Sequence, residues 1–337
     1  MCENAVNARV PVAVPGARGS SPLLKKVAGA VAATAALGAA TAAYGHFIEL
    51  NNFQLRTESL PVLPAGSPDF RILHISDMHM IPGQQKKIDF MHSLAALEPD
   101  LVMNTGDNLS HVDGMGPLLE ALDPLMDFPG VFVPGSNCYF APVFKNPARY
   151  LWQPRTPQMI EEGSRVALPI ERMHEAFESR GWTGLVNRYD TLNLKGLRLE
   201  FSGVDDPHLR YDEHPGFAPG AFDEGEEPSV RIGVAHAPYM RTLHRFVQDG
   251  AQAIFAGHTH GGQVCLPGGH ALVSNCDLPP SRAKGVSKQS GIPVQVSAGL
   301  GTSRFAPVRL FCPPEAILVT LTARDKDEAD ASKGDRR

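Results

Sequence analysis

The chain has 337 residues, of which 43% are hydrophobic and 20% are charged, a composition typical of a globular protein rather than a disordered one. Its formal net charge is -5 with no excess of Lys and Arg, so the composition does not indicate a nucleic-acid-binding protein. The five cysteines are odd in number and include no C-x-x-C pair, which argues against a zinc ribbon or a disulfide framework.

The N-terminal region contains a long apolar segment. We expect residues 1–26 to be a disordered tail and residues 27–48, which contain no Asp, Glu, Lys or Arg, to form a helix of roughly 30 Å, long enough to cross a bilayer. Lys25 and Lys26 precede it, so the positive-inside rule predicts a membrane anchor with the main domain outside the cytoplasm. Residues 40–42 are an A-x-A-like cleavage site, so secretion after signal cleavage is the alternative, and an Ala-rich soluble helix is a third.

The rest of the chain has the pattern of one α/β domain. We expect a Pro-interrupted linker over residues 49–67, the domain over residues 68–323, and a charged disordered tail over residues 324–337. Hydrophobic periodicity predicts strands over 71–76, 101–104, 131–133, 191–194, 197–202, 230–235, 253–256, 294–297 and 316–321, and helices over 84–97, 118–126 and 239–247. Alternation of strands and helices favours a parallel sheet with crossover helices. Residues 139–171 are rich in Pro and weakly periodic, as lids and substrate-facing insertions often are.

Polar side chains follow five of the predicted strands, at the point where each strand ends. They are Asp77 and His79, then Asp107, then Asn137, then His236, and finally His258 and His260. Because the carboxyl ends of parallel strands lie at one edge of a sheet, we expect these side chains to converge there. Imidazole and carboxylate are suitable ligands for Zn, Mn and Fe, so the pattern predicts a site for two divalent cations. Asp107, the lone acid of its loop, is the natural bridging ligand between cations about 3.5–4 Å apart.

Three glycines accompany these ligands. Gly106, Gly135 and Gly257 precede them by one or two residues, and we expect these glycines to let the backbone turn sharply and approach the cations.

The complete set of motifs resembles the calcineurin-like metallophosphoesterases. The resemblance rests on His74-Ile75-Ser76-Asp77-Met78-His79, Asn104-Thr105-Gly106-Asp107-Asn108, Gly135-Ser136-Asn137, His236 and Gly257-His258-Thr259-His260. It covers roughly residues 70–322 and is closest to the membrane-associated or exported bacterial branch, where 261–263 and 297–303 also have counterparts. The resemblance implies a two-sheet αββα sandwich.

The resemblance also implies a role for each ligand. Asp77, His79 and His260 would hold one cation, Asn137, His236 and His258 the other, and Asp107 would bridge them. A metal-bound hydroxide would attack phosphorus in line, with the cations neutralising charge on the phosphoryl oxygens. Asp107, Asn137 and His236 are accordingly candidate catalytic residues.

One position departs from the family pattern. Many members have His followed by an acid after the Asn of the third motif, and that His helps to protonate the leaving group, whereas this chain has Cys138 and Tyr139. Cys138 is a candidate proton donor, but a thiol with a pKa near 8.5 is poorly suited to that role, and a small residue that fills a loop is the alternative. His111 or His208 are candidate substitutes.

Two further features have structural interpretations. His74 lies inside a strand, so we expect a core residue or one that supports a ligand rather than a ligand itself. The loop over residues 205–214, rich in acids and His, is interpreted as a surface loop.

The predicted function is therefore a metal-dependent phosphohydrolase that cleaves a phosphate monoester or diester, such as a lipid-linked or nucleotide substrate. The alternative is a metal-binding scaffold with little turnover that recruits a partner at the membrane. A nuclease is disfavoured because no basic groove is evident.

Overall fold

The computed structural model describes residues 22–143, 165–218 and 229–324. The chain divides into two compact units between Ala43 and Tyr44, and helix α1 (Pro22–Phe47) begins in the first and ends in the second. The helix begins five residues earlier than expected, so residues 22–26 are helical; residues 1–21 and 325–337, where tails were expected, lie outside the described residues. Residues 25–51 are long and apolar enough for a membrane span, and a signal sequence meets the same criteria.

The second unit contains two six-stranded sheets among its described residues. The first sheet has the order β1 (Gln54–Leu63), β14 (Glu315–Ala323), β2 (Phe70–Ile75), β3 (Leu101–Asn104), β4 (Gly130–Phe132), β5 (Trp182–Gly184). The second has the order β12 (Gly285–Gln289), β13 (Ile292–Val296), β9 (Ala253–Ala256), β8 (Ser229–Val234), β7 (Leu197–Gly203), β6 (Arg188–Leu194). Strands β2 to β5 are parallel, as are β13, β9, β8 and β7, so their carboxyl ends line one edge of each sheet. A small hairpin of β10 (Cys265–Leu266) and β11 (His270–Ala271) follows β9.

Three apolar layers hold the second unit together. Side chains such as Ile72 and Met103 of the first sheet pack against Phe201 and Phe255 of the second and form the core between the sheets. The outer face of the first sheet is covered by α2 (Gln85–Ser93), α3 (Met115–Leu122) and α5 (Ile170–Ser179), and that of the second by α6 (Met240–Gln248). A short helix, α4 (Ser136–Tyr139), follows β4. The αββα sandwich implied by the family resemblance is thus confirmed.

The linker expected over residues 49–67 is wrong for its central part. Residues 54–63 form β1, which pairs in parallel with β14 along its whole length. Pro61 obscured this strand, because proline lacks the N–H that a central strand must donate. β1 lies at the edge of its sheet, where a missing donor is tolerated, and the folded unit therefore begins well before residue 68.

Candidate metal centre

The seven predicted ligands lie at the carboxyl ends of the strands, and six of them form two groups. Asp77, His79 and His260 make up the first, and Asp107, His236 and His258 the second; within each group the ligand atoms lie within 4.8 Å of one another. Such spacing lets each group surround one cation. Each group joins the two sheets, since its aspartate follows a strand of the first sheet and at least one histidine follows a strand of the second.

Asp107 lies between the two groups. Its Oδ2 atom is 3.6 Å from His79 Nε2 and 3.4 Å from His236 Nε2, so one carboxylate oxygen faces both. Asn137 binds the same carboxylate, because its backbone N–H donates to Oδ1 and its side-chain Nδ2 donates to Oδ2, each at 2.7 Å. This is the position that a bridging ligand requires.

A second partner orients three of the four imidazoles. The outward nitrogen of His79 contacts Ser110 Oγ at 2.8 Å, and that of His236 contacts the Thr105 carbonyl oxygen at 2.7 Å. His260 contacts the Gly301 carbonyl oxygen at 3.1 Å. A donor–acceptor contact on one ring nitrogen fixes the tautomer and directs the other nitrogen towards the site. In this way His79 Nε2 and His260 Nε2 come to lie 3.1 Å apart.

A buried chain of hydrogen bonds supports Asp77. Ser76 Oγ donates to Asp77 Oδ2 at 2.6 Å, Thr105 Oγ1 donates to Ser76 Oγ at 2.7 Å, and His74 Nε2 lies 3.0 Å from Thr105 Oγ1. His74 is therefore the core and supporting residue expected from the sequence. Asp77 Oδ1 is buried and has no hydrogen-bond partner in the described part of the chain, which suits an atom that binds a cation.

The electrostatics of the site also suit cations. Burial lowers the pKa of both His79 and His260 to about 3, so these imidazoles are neutral and able to bind a metal. Burial would also lower the pKa of His236, but the facing Asp107 carboxylate raises it to about 10. Burial would raise the pKa of Asp107, but the facing His236 lowers it well below its ordinary value. A bound cation would replace the proton that this pair shares.

The backbone is unusual at most of the ligands. Five of them have positive φ angles, with 49° at Asp77, 46° at His79, 52° at Asp107, 70° at His258 and 51° at His260. Non-glycine residues rarely adopt this left-handed conformation, and such residues cluster at functional sites. The sharp turns thus occur at the ligands themselves.

The three predicted glycines have two different roles. Gly106 has a φ of 95° and supplies a turn. Gly135 and Gly257 do not have a positive φ, and they provide space for neighbouring side chains. A Cβ atom on Gly135 would lie 2.6 Å from the His236 ring, and one on Gly257 would lie 2.5 Å from Asp77 Oδ2. The expectation of a sharp turn is therefore wrong for these two, and the expectation of a close approach holds.

The Cys138 thiol lies in the apolar core on the outer face of the first sheet. It is fully buried, and it accepts hydrogen bonds from the backbone and side-chain nitrogens of Asn108 at 3.5 and 3.7 Å. Burial raises its pKa to about 12, so the thiol stays protonated. These contacts favour the packing interpretation of Cys138 over the catalytic one.

The two histidines considered as substitutes for Cys138 lie in different places. His208 lines the cleft above the ligands, with its ring centroid 4.7 Å from that of His258 and its Nδ1 atom 3.0 Å from Tyr239 Oη. His111 precedes a short helical turn, where its Nδ1 accepts from the Asp113 backbone N–H. His208 alone of this pair lines the cleft.

The surface-loop interpretation of residues 205–214 is wrong at its beginning. Asp206 is fully buried, and its carboxylate accepts from the backbone N–H groups of His208 and Leu209. Burial raises its pKa to about 7, although the nearby His236 acts in the opposite direction. Asp206 follows β7 at its carboxyl end, so the rule that identified the candidate ligands also applied to this residue.

The long insertion is described only at its ends. Phe140 and Ala167 form an isolated bridge that closes its base, and residues 144–164, together with the predicted lid, lie outside the described residues.

A match to a protein family agrees with this geometry. Residues 70–262 match the calcineurin-like phosphoesterase family. Two similar proteins come from Bacillus subtilis (strain 168): uncharacterized protein YpbG is 27% identical over 274 residues, 79% of this chain and 87% of its own length, and uncharacterized metallophosphoesterase YkuE is 23% identical over 322 residues, 88% and 96%. A dimetal phosphatase from Danio rerio is 10% identical, with a TM-score of 0.37 over 69% of this chain and 88% of its own.

Proposed function

We propose, from the premise that this chain belongs to the calcineurin-like phosphoesterase family and is a hydrolase of phosphoric ester bonds, that it cleaves a monoester or diester at a centre of two divalent cations. The observation that carries the proposal is the position of Asp107 Oδ2 between the two ligand groups. Lipid-linked and nucleotide esters are both candidate substrates at this level.

The ligands divide as the family resemblance implies. Asp77, His79 and His260 would hold one cation, and Asn137, His236 and His258 the other, with Asp107 shared. The cations would supply an activated water and neutralise charge on the phosphoryl oxygens. Mn, Zn and Fe all suit this set of nitrogen and oxygen ligands.

We assign protonation of the leaving group to His208 rather than to Cys138. The imidazole lines the cleft beside His258, where it can reach the oxygen of an ester bound over the cations. Tyr239 Oη contacts its Nδ1 atom and would hold the ring in place.

The test uses the full chain, loaded with Mn or Zn and given an activated aryl phosphodiester. We expect metal-dependent turnover that falls roughly a thousandfold or more in Asp107→Asn, because the variant loses the shared ligand. Asp113→Asn is the matched control, since the Asp113 side chain is 76% exposed and does not line the cleft.

A wild-type chain that binds two cations and turns over no ester would contradict the proposal. That outcome would favour the scaffold that recruits a partner.

We infer that α1 anchors the enzyme and that the unit from Tyr44 onward lies outside the cytoplasm, with secretion after cleavage as the alternative. Lys25 and Lys26 in the first turns of the helix support this orientation. Protease added to intact cells should cleave the second unit, and protection of that unit would reverse the orientation.

A further inference from the structure

The cleft above the metal centre has two chemically different parts. Its volume is about 540 Å³, within the range of small-molecule sites. The candidate ligands His79, Asp107 and His260 form part of its floor, whereas Val264, Leu272 and other apolar residues line its wall. A substrate that lies over the cations therefore extends along an apolar surface.

The apolar wall is exposed to water. Relative exposure is 39% for Val264, 50% for Leu272 and 43% for Phe305, and all three line the same cleft. Val143, also 39% exposed, lines this cleft too. Single exposed apolar residues are common, but several that line one cleft beside a functional site usually mark a binding surface.

The charges in the cleft suit an ester with few anionic groups. Among the described residues that line the cleft, the Asp, Glu, Lys and Arg residues are Asp107 and Arg165 alone. The Arg165 guanidinium lies 5.9 Å from the centre of the Phe140 ring, which also lines the cleft. The described residues thus offer one cationic side chain and an apolar wall, and polar side chains such as Gln263, Asn275 and Ser303 also line the cleft.

The wall is joined to the end of α1. His46 Nδ1 contacts the Pro307 carbonyl oxygen at 2.7 Å, and the backbone N–H of Arg309 donates to the Gly45 carbonyl oxygen at 3.2 Å. Phe305 lies two residues before Pro307 in the same segment. The C-terminal end of α1 is therefore bound directly to the segment that forms part of the wall.

We propose that the wall formed by Val264, Leu272 and Phe305 binds a hydrocarbon chain, so that the substrate is a phosphoester carrying an aliphatic tail. This inference rests on the proposed function and selects the lipid-linked class over the nucleotide class. The phosphate lies over the cations, and the tail lies along the wall.

The test compares p-nitrophenyl phosphodiesters whose second ester group is methyl, butyl or octyl. The full chain is used in lipid nanodiscs loaded with Mn or Zn, and p-nitrophenolate release is followed below the micelle concentration of each ester. We expect kcat/KM for the octyl ester to exceed that for the methyl ester by about tenfold or more, since each buried methylene adds to binding.

Two matched variants localise the effect. Val264 is 39% exposed in the cleft, and Val286 is 40% exposed on β12 and does not line it. Val264→Ser should reduce the octyl-to-methyl ratio by about threefold or more, and Val286→Ser should keep the wild-type ratio.

Metal-dependent turnover with no dependence on chain length, or equal ratios in the two variants, would overturn the inference and leave the proposed function intact. Preference for the p-nitrophenyl ester of thymidine monophosphate over the octyl ester would also overturn it. Absence of metal-dependent turnover across the whole series would overturn the proposed function, and this inference with it.

Discussion

The two sheets contribute different chemistry to one site. The strand ends of the first sheet supply the candidate oxygen ligands Asp77, Asp107 and Asn137 together with one imidazole, that of His79. Those of the second supply imidazoles only, at His236, His258 and His260. Neither sheet holds a complete ligand group, so the site exists only where the two edges meet. Bound cations would therefore also stabilise the packing of one sheet on the other.

After loss of the Asp107 carboxylate itself, the largest expected effect comes from separating the two edges. In Gly135→Ala, the new methyl group would displace His236 of the second sheet from Asp107 of the first, because its Cβ would lie 2.6 Å from the ring. We expect kcat to fall roughly a hundredfold or more and bound metal, measured by elemental analysis, to fall below two ions per chain.

Gly116→Ala is the matched control for that change. A Cβ atom on Gly116 meets nothing within 4 Å, and the residue lies in α3. This variant should keep its metals and gain up to about 1 kcal/mol of stability. Full metal content in Gly135→Ala would mean that the close contact between the two sheet edges is not needed for metal binding.

A smaller effect should distinguish the role of His208 from that of the candidate metal ligands. His208→Gln should lower kcat by roughly a hundredfold for an alkyl ester, which has a poor leaving group, and by less than about threefold for a p-nitrophenyl ester. His111→Gln, in the other histidine considered for this role, should change neither rate. Equal losses on both esters would assign His208 to substrate binding instead.

The next effect concerns the support that the first sheet gives to Asp77. Burial lowers the pKa of His74 to about 3. As pH falls below about 6.5, the unfolded chain therefore binds a proton at His74 that the folded chain does not bind. The metal-free protein should therefore lose about 1 kcal/mol of stability per pH unit through His74 between pH 6.5 and 3, and none above that range.

His74→Gln removes this dependence, so the gap in unfolding free energy between wild type and variant should narrow as pH falls. His79 and His260 titrate equally in both proteins, so their contributions cancel in the difference between the two unfolding free energies. Exposed His92, changed to Gln, is the control. A gap that stays constant from pH 7.5 to 4 would contradict a neutral, buried His74.

The smallest effect is expected at Cys138. Cys138→Ser should retain kcat within about threefold, because the thiol faces Asn108 and remains protonated at neutral pH. A loss of tenfold or more, measured on the alkyl ester, would restore Cys138 as a proton donor.

Most of the fold followed from local patterns in the sequence. The predicted strand over 101–104 coincides with β3, and the strands over 253–256 and 316–321 lie within β9 and β14, because short apolar runs between turn residues have few other structures available. The candidate ligands were found because strand ends share an edge in parallel sheets.

The parts that could not be predicted depend on tertiary contacts. β1 is stabilised by pairing with a strand more than 250 residues later, and Pro61 hid its pattern. Asp206 resembled a solvated loop residue until its burial was known. The support from Ser110, Thr105 and Gly301 uses ordinary hydroxyl and backbone groups, which carry no distinctive sequence signal.

The left-handed backbone at five of the candidate ligands bears on how this chain could evolve. An L-residue in that conformation costs about 1 kcal/mol or more, and glycine avoids most of that cost. A lineage that no longer needed cations would gain stability by exchanging these side chains for glycine. Loss of these candidate ligands would therefore increase the stability of the fold. A chain that carries Asp and His at all five positions is thus poorly explained as an enzyme that has lost its activity.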